Sequence, residues 1–353
     1  MNYKVMFVGA SLGGGGSERV MSIIANAFFN KGNSVEIIRL FDDKTDYRIE
    51  DGIETAYIGN KISNSILKKV ELVNDLRNQI KKYKPDVIIS FLTTCNVIST
   101  LAATGLKINV IVSERNDPNN NVKSKFAAWV RNVVYNRADC LVCQTPDAVK
   151  YFPKGIQDKS VVIPNPINDA LPAPYLGERD KKIVMVCRLN RQKNIPMALN
   201  AFEMFYKAHP EWTLEIYGEG EEREKLQKIR DGLQSKNNII FHGFSNNVIE
   251  DTKKAGIFLS TSDYEGISNS MLEAMAMGTP CVVTDCPIGG ARMVVKDGEN
   301  GILIRIKDTV ACYEALQKIA DENMLKLETE RRALAIREKY SLNRIVNMWG
   351  DLI

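Results

Sequence analysis

Lys4 to Phe29 reads KVMFVGASLGGGGSERVMSIIANAFF. The run KVMFVGA is almost continuously apolar and short, so it reads as a strand buried on both faces. Glycines at positions 13, 14, 15 and 16 end it in a turn. Beyond them Val20, Ile23, Ile24, Ala27 and Phe28 recur at i, i+3, i+4, i+7 and i+8, one face of a helix. Strand, glycine-rich turn and helix make the first part of a parallel βαβ unit.

The same alternation continues along the chain. SVEIIRL, a weaker IETAYIG, DVIISF, NVIVSE and CLVCQT read as strands. A long helix is expected over 64–82, with Ile66, Val70, Val73, Leu76 and Ile80 facing inward. The pattern stops at IPNPINDALPAPYLGERD, where prolines 164, 166, 172 and 174 rule out helix and central strand. It restarts as KIVMVCRL, helix 196–208, TLEIYG, helix 221–233, IIFHGF, GIFLST, helix 269–277, PCVVTD, NGILI and helix 309–320. The expected fold class is α/β: two doubly wound, Rossmann-like domains at 1–165 and 181–330. Residues 166–180 are expected as the linker, and 331–353 as a C-terminal helix packing back on the first domain. Ligands of such sheets sit beyond the carboxyl ends of the strands, and a cleft between two such domains is the default site.

Bulk properties narrow the classes. The 353 residues suit two domains. Residues 1–172 carry 22 Lys and Arg against 17 Asp and Glu, and the remainder 25 against 26. The excess concentrates in 61–84 (Lys61, Lys68, Lys69, Arg77, Lys81, Lys82 and Lys84 against Glu71 and Asp75) and in 107–137. A bias of this size suits an anionic surface or a phosphorylated substrate and is too weak for nucleic acid. The chain contains no run of eighteen apolar residues, so no membrane span is expected. The start reads as a first strand rather than a signal peptide. The seven cysteines lie mostly in apolar runs, and Cys140-x-x-Cys143 lacks a second pair, so buried thiols in a reducing compartment are expected.

Three constellations carry chemistry. In GASLGGGGSERV, glycines let backbone N–H groups approach an anion at a helix start. Gly9, Gly13 and Gly15 also match a dinucleotide spacing, but the only Tyr-x3-Lys is Tyr57–Lys61, interrupted by Gly59, so NAD chemistry is disfavoured. In MVCRLNRQKN, Arg188 ends a strand, Lys193 lies five residues on, and Ile195-Pro196 opens a helix. A guanidinium and an ammonium at such a loop converge naturally on a diphosphate; Arg191 adds a third cation. In STSDYEGISNSMLEAMAMGTP (Ser260–Pro280), Glu265 precedes a helix capped by Ser268 or Asn269 and Glu273 lies on its second turn. The helix start between them favours reading the hydroxyls of an elongated ligand over a hydrolase carboxylate pair.

Together these motifs resemble the retaining GT-B glycosyltransferases of the group 1, family 4 type. GGSER resembles that family's GG-x-E-R loop, RLNRQKN its R-x4-K, EGISNSMLEAMAMGTPCV its E-x7-E block, and VIPNPI its interdomain V-I-P-N-G-V. The resemblance covers essentially the whole chain and implies the GT-B arrangement, with the first domain on the acceptor side and the second binding a nucleotide sugar. It implies that Arg188 and Lys193 hold the donor diphosphate and stabilise its departure, and that Glu265 binds the donor sugar, all three being catalytic. Gly15 and Gly16 would lie near the diphosphate. Backbone of Gly266, Ile267, Ser268 and Asn269 would assist Glu265, with Leu272 on the same side. Glu273 would hold the ribose, and backbone near Gly243 and Phe244 the base. Glu18, Glu114 and Arg115 would face the acceptor. The chain departs from several relatives in lacking a first-domain histidine: His209 is expected to be exposed and His242 structural.

The implied activity is transfer of a hexose or N-acetylhexosamine, with retention, from a UDP-linked donor to a glycan or polyprenyl-linked acceptor in polysaccharide or glycoconjugate synthesis. No cofactor is expected, and no metal, because the sequence contains no Asp-x-Asp. Rival readings are a GT-B nucleotide-sugar epimerase and a non-catalytic nucleotide-sugar-binding partner subunit. A cytoplasmic location is expected, peripheral on the inner face of the cell membrane. KSKFAAWVRNVVY puts Phe126, Trp129, Val130, Val133 and Val134 on one helical face beside Lys123, Lys125 and Arg131. Either that stripe faces the core, or with the basic 61–84 helix it meets an anionic membrane.

Overall fold

The computed structural model describes residues 2–59, 66–122, 124–321 and 323–353, with the side chains of 66–68 and 323–330 left aside. Lys61, Lys123 and the Tyr57–Lys61 pairing therefore lie outside the described residues. The chain divides into two units, Met1–Pro166 with Leu342–Ile353, and Ile167–Ser341.

The first unit runs β1 (Lys4–Gly9), α1 (Gly16–Asn30), β2 (Ser34–Arg39), β3 (Glu54–Tyr57), α2 (Ile66–Tyr83), β4 (Val87–Phe91), α3 (Thr93–Ala103), β5 (Asn109–Glu114) and α4 (Lys125–Tyr135). β6 (Cys140–Cys143), α5 (Pro146–Lys150), α6 (Lys154–Gln157) and β7 (Ser160–Val162) follow. Its sheet is parallel in the order β3-β2-β1-β4-β5-β6-β7, with Val5 opposite both Val35 and Val87. The order reverses between β1 and β4, because successive right-handed crossovers first run one way from β1 and then the other. α1 buries Val20, Met21, Ile24, Ala25 and Phe28, close to the expected face. In α2, Leu72, Leu76 and Ile80 are buried, whereas Val70 is exposed. The buried stripe runs through Leu72, Leu76 and Ile80 at i, i+4 and i+8, and Val70 falls outside it.

The second unit runs β8 (Asp180–Val186), α7 (Ile195–Tyr206), β9 (Thr213–Tyr217), α8 (Arg223–Asp231), β10 (Ile239–Gly243), α9 (Val248–Thr252), β11 (Ala255–Ser260) and α10 (Asn269–Ala276). It continues through β12 (Cys281–Thr284), β13 (Ile302–Ile304), α11 (Thr309–Asp321) and α12 (Asn323–Lys339). Its parallel sheet has the order β10-β9-β8-β11-β12-β13, with the reversal between β8 and β11. One face packs on α7 and α11 through residues such as Leu199, Phe202, Phe205 and Leu316; the other packs on α10 through Met271, Leu272 and Met275.

The stretch expected as a linker is part of the second unit from Ile167 onward. Ile167 and Leu171 are buried in its core, and the Tyr175 N–H donates to the Met277 carbonyl. Apolar residues between the prolines supply that packing. α12 also belongs to this unit: Ile336 and Tyr340 join its core, and Arg337 Nε donates to the Ala276 carbonyl at 2.8 Å. The last helix, α13 (Leu342–Gly350), belongs to the first unit, where Ile345, Val346 and Trp349 are buried and Trp349 stacks on Phe91. None of the described helices is long and apolar enough to cross a membrane. All seven cysteines are free, five of them buried.

Candidate active site

In the second unit, three segments meet at the carboxyl ends of β8 and β11. Beyond β8, Arg191–Lys193 form a single 3-10 turn, and Asn194 takes the left-handed conformation (φ 42°) before α7 starts at Ile195-Pro196. Asparagine tolerates that conformation because its side chain bonds locally; here Asn194 Nδ2 donates to Asp263 Oδ1 at 2.9 Å. The segment after β11 is stitched to this loop. Thr261 Oγ1 donates to the carbonyls of Lys193 and Asn194 at 2.9 and 3.1 Å. Gln192 Nε2 donates to the Tyr264 carbonyl at 2.8 Å, and the Asp263 N–H to the Gln192 carbonyl at 2.9 Å. These bonds bring Lys193 onto Glu265, 72 positions away, as a part-buried ion pair, with Ser262 Oγ a further donor to that carboxylate at 3.2 Å. Burial works against the ammonium charge, but Glu265 outweighs it and holds Lys193 above the ordinary lysine range. Arg188 is exposed two residues beyond the end of β8 and makes no ion pair among the described residues.

Ser268 caps α10, its hydroxyl accepting from the Met271 N–H at 3.4 Å. The first turn of α10, with Asn269 and Ser270, presents the positive end of the helix to the loop that carries Glu265, Gly266 and Ile267. Two small cavities adjoin there. One is lined by Lys193, Ser262 and Ser268, the other by Glu273, Val248 and Ala274; Val186, Phe258 and Ser270 border both. Glu273 and Leu272 are buried. Phe244 is 73% exposed in the loop after β10.

Two supports were not expected from the sequence. A Cβ on Gly290 would lie 1.9 Å from the Gly266 carbonyl oxygen and 3.0 Å from the Ile267 nitrogen, so the backbone of that loop braces the Glu265 segment from behind. Gly218 (φ 132°) and Gly220 do the same for Arg188: their Cβ atoms would meet the carbonyls of Cys187 and Leu189 at 1.9 and 2.3 Å. The paired glycines of PIGG and YGEG were the only sequence signal of either contact.

In the first unit the glycine turn leads into α1 as expected. Gly14 has φ 73°, Gly15 is the N-cap and Gly16 opens the helix. A Cβ on Gly15 would meet the Glu18 carboxylate at 2.1 Å, so Glu18 folds back over the helix start, the place for the third residue of a capping box. Glu114 and Arg115 are both buried. Glu114, 1% exposed, accepts from Thr93 Oγ1, Tyr135 Oη and Asn121 Nδ2 at 2.5–3.0 Å. Burial pushes its carboxyl up. Arg115 donates to Asn165 Oδ1, lies over the Phe91 ring, and is pushed down to about 9 by burial. The polar groups of α3, α4 and the 116–121 loop converge on Glu114. His209 is stacked on Phe205, not exposed, and His242 is stacked on Tyr217 and bonded to Glu215 at 2.9 Å.

Two parallel doubly wound units, the second with a cation-and-carboxylate site at its reversal point, make a GT-B fold. The chain belongs to the group 1, family 4 glycosyltransferases: a model described as Glycosyltransferase Family 4 matches residues 14–171, and one described as Glycosyl transferases group 1 matches 170–338. It is 27% identical over 358 residues to GalNAc-alpha-(1->4)-GalNAc-alpha-(1->3)-diNAcBac-PP-undecaprenol alpha-1,4-N-acetyl-D-galactosaminyltransferase of Campylobacter jejuni, covering 99% of this chain and 98% of that protein. It is 26% identical to lipopolysaccharide 1,6-galactosyltransferase of Escherichia coli K12, covering 96% and 94%. Among solved structures, Anabaena HepE in complex with UDP and glucose superposes with a TM-score of 0.86 at 17% identity, covering 99% of each chain.

Proposed function

We propose that the protein transfers a hexose or N-acetylhexosamine from a UDP-linked donor to a glycan or polyprenyl-linked acceptor, with retention of configuration, in the building of a surface polysaccharide or glycoconjugate. The observation that carries this reading is the Lys193–Glu265 pair, held by the Thr261, Gln192 and Asn194 bonds at the β8–β11 reversal. A diphosphate entering beside Lys193 replaces part of the Glu265 contact, and the released carboxylate is then available to sugar hydroxyls. Arg188, exposed in the same loop, adds a second cation. As the bond to the leaving phosphate breaks, charge grows on oxygens already facing fixed cations and the start of α10, so little reorganisation is needed. The departing phosphate accepts the acceptor's proton, and no side-chain base is required.

Glu273, on the second turn of α10, binds the ribose hydroxyls, and the backbone at Gly243 and Phe244 holds the base. Gly15, Gly16 and Glu18 serve the acceptor and diphosphate side. Glu114 and Arg115, buried at the end of β5, stand on the acceptor side behind that surface. The absence of Asp-x-Asp from the sequence supports turnover without a divalent metal. The names of the Campylobacter and Escherichia relatives support N-acetylgalactosamine and galactose as the first sugars to try. The test is a thermal-shift panel of nucleotide sugars, followed by transfer assays on polyprenyl-diphosphate-linked and lipopolysaccharide acceptors with and without chelator. Stabilisation by UDP and UDP-hexoses, with chelator-resistant transfer, is expected. No shift with any nucleotide, or conversion of the donor sugar without acceptor, would overturn the reading.

A further inference from the structure

We propose that the segment between β2 and β3 fixes the glycine turn at the head of α1, with Tyr47 as a positioning residue for the transfer reaction. The second part rests on the reading that Gly15 and Gly16 belong to the reaction site. Glycines 13 to 16 give the turn wide conformational freedom, and ordering four of them in a row is costly. At Gly14 a Cβ would meet no heavy atom within 4 Å beyond its chain neighbours, so packing does not hold the crown of the turn. Within the turn, Ser11 Oγ donates to the Gly13 carbonyl at 3.0 Å. The remaining support comes from residues 40–50. The Leu40 N–H donates to the Gly9 carbonyl at 3.0 Å, and the Phe41 and Asp42 N–H groups donate to the Ala10 carbonyl at 2.9 and 3.1 Å. The Leu12 N–H donates to the Lys44 carbonyl at 2.9 Å, and the Leu12 carbonyl accepts from the Tyr47 N–H at 3.0 Å. The Asp46 carboxylate fills the space beside Gly13, 2.4 Å from where a Cβ would stand.

Tyr47 completes the clasp. Its Oη donates to the Gly15 carbonyl, 32 positions away, at 2.9 Å. The same carbonyl accepts the Arg19 N–H at 3.0 Å, the first bond of α1. A trans peptide is planar, so its C=O and N–H point in opposite directions. Fixing the Gly15 carbonyl therefore also fixes the direction of the Gly16 N–H, at the positive end of the helix. The far end of the segment is anchored on α1 itself. Asn26 Nδ2 donates to the Arg48 carbonyl at 3.0 Å, and Asn26 Oδ1 accepts from the Glu50 N–H at 3.0 Å. Along the helix, Asn26 lies about 16 Å from Gly15. The loop is thus built on the body of α1 and delivers a hydroxyl to its head. Backbone bonds carry the segment, and the Oη bond acts on the one peptide that the proposed reaction uses.

Tyr47→Phe removes that one bond and keeps the ring. The full chain and this variant are compared by amide hydrogen exchange and by transfer kinetics with UDP-galactose and UDP-N-acetylgalactosamine on a polyprenyl-diphosphate-linked acceptor. Expected is an unchanged melting temperature, with the Arg19 amide exchanging about fivefold faster and the amides of Ile24 and Ile37 keeping their protection. Turnover should fall by about tenfold while KM for donor and acceptor stays within about twofold of the parent. Thr45→Ala, at an exposed position of the same segment, should change neither readout. Equal exchange at Arg19 in parent and variant overturns the proposal, as does parental turnover in Tyr47→Phe or a loss confined to KM. A lower melting temperature with faster exchange at Ile37 as well would assign Tyr47 to stability alone and overturn it too. If the parent transfers from no nucleotide sugar, the reading of the function fails, and the Arg19 exchange alone decides whether Tyr47 sets the turn.

Discussion

Arg188, two residues beyond β8, is an exposed cation with no ion pair among the described residues, while Lys193, five residues on, is already neutralised by Glu265. The two cations of one motif therefore have different parts in the proposed reaction. Removing Arg188 takes away charge aimed at the leaving phosphate without disturbing packing. Arg188→Ala should lower kcat by about 10²–10³ with an unchanged melting temperature; activity within threefold of the parent would refute its assignment. A second residue is informative through pH. Glu36 is buried in β2, its Oε2 lacks a hydrogen-bond partner, and burial with the nearby Glu54 raises its carboxyl from 4.5 to about 6. The folded state thus keeps a proton that the unfolded state has lost between those two values, so stability falls as pH rises through that window. Glu36→Gln should stabilise the protein by on the order of 1 kcal/mol at pH 8 and by much less at pH 4. Urea melts at the two pH values measure this; equal gains at both would remove the explanation.

At the scale of elements, the site depends on loops held by side-chain hydrogen bonds on one side and by close backbone packing on the other. The segment carrying Glu265 is pinned in front by Thr261, Gln192 and Asn194 and behind by Gly290. Gly290→Ala introduces a methyl group where the Gly266 carbonyl already sits, so the donor loop must shift. Turnover with a nucleotide sugar should fall by about 10²-fold while circular dichroism stays unchanged. Normal turnover would show that the loop tolerates the displacement and that Glu265 does not need its present position. The contrast with α4 is instructive. There the expected apolar stripe is present, but Val134 turns inward while Phe126, Trp129 and Val133 turn outward, because Arg131 and Tyr135 are drawn in by Pro118, Glu114 and Asn96. Periodicity located the stripe and did not say which side of it met water.

On the scale of the whole molecule, the first unit is completed by residues from the far end of the chain. Trp349 of α13 is fully buried against Phe91, within a core built from β1, β2 and β4. Trp349→Ala should cost about 3–5 kcal/mol. By hydrogen exchange, amides of β4 should lose protection while those of β11 keep theirs; equal losses in both strands would contradict the division into two units. Much of this architecture was legible beforehand. Short apolar runs alternating with amphipathic helices require parallel sheets, and the chain order of glycine turn, Arg-x4-Lys and Glu-x7-Glu placed each motif at a strand's carboxyl end. Those features are local, since they depend on residues within a few turns of one another. The sequence by itself therefore determined the fold class, every described strand except β7 (Ser160–Val162), and the motifs of the candidate site. Only the tertiary structure decided that Lys193 rests on Glu265, that Gly290 braces Gly266, that Glu114 and Arg115 turn inward, and that Ile167 and Leu171 belong to a core. Each of those outcomes depends on partners distant in sequence competing for the same polar group or the same space, and no local pattern records which partner wins.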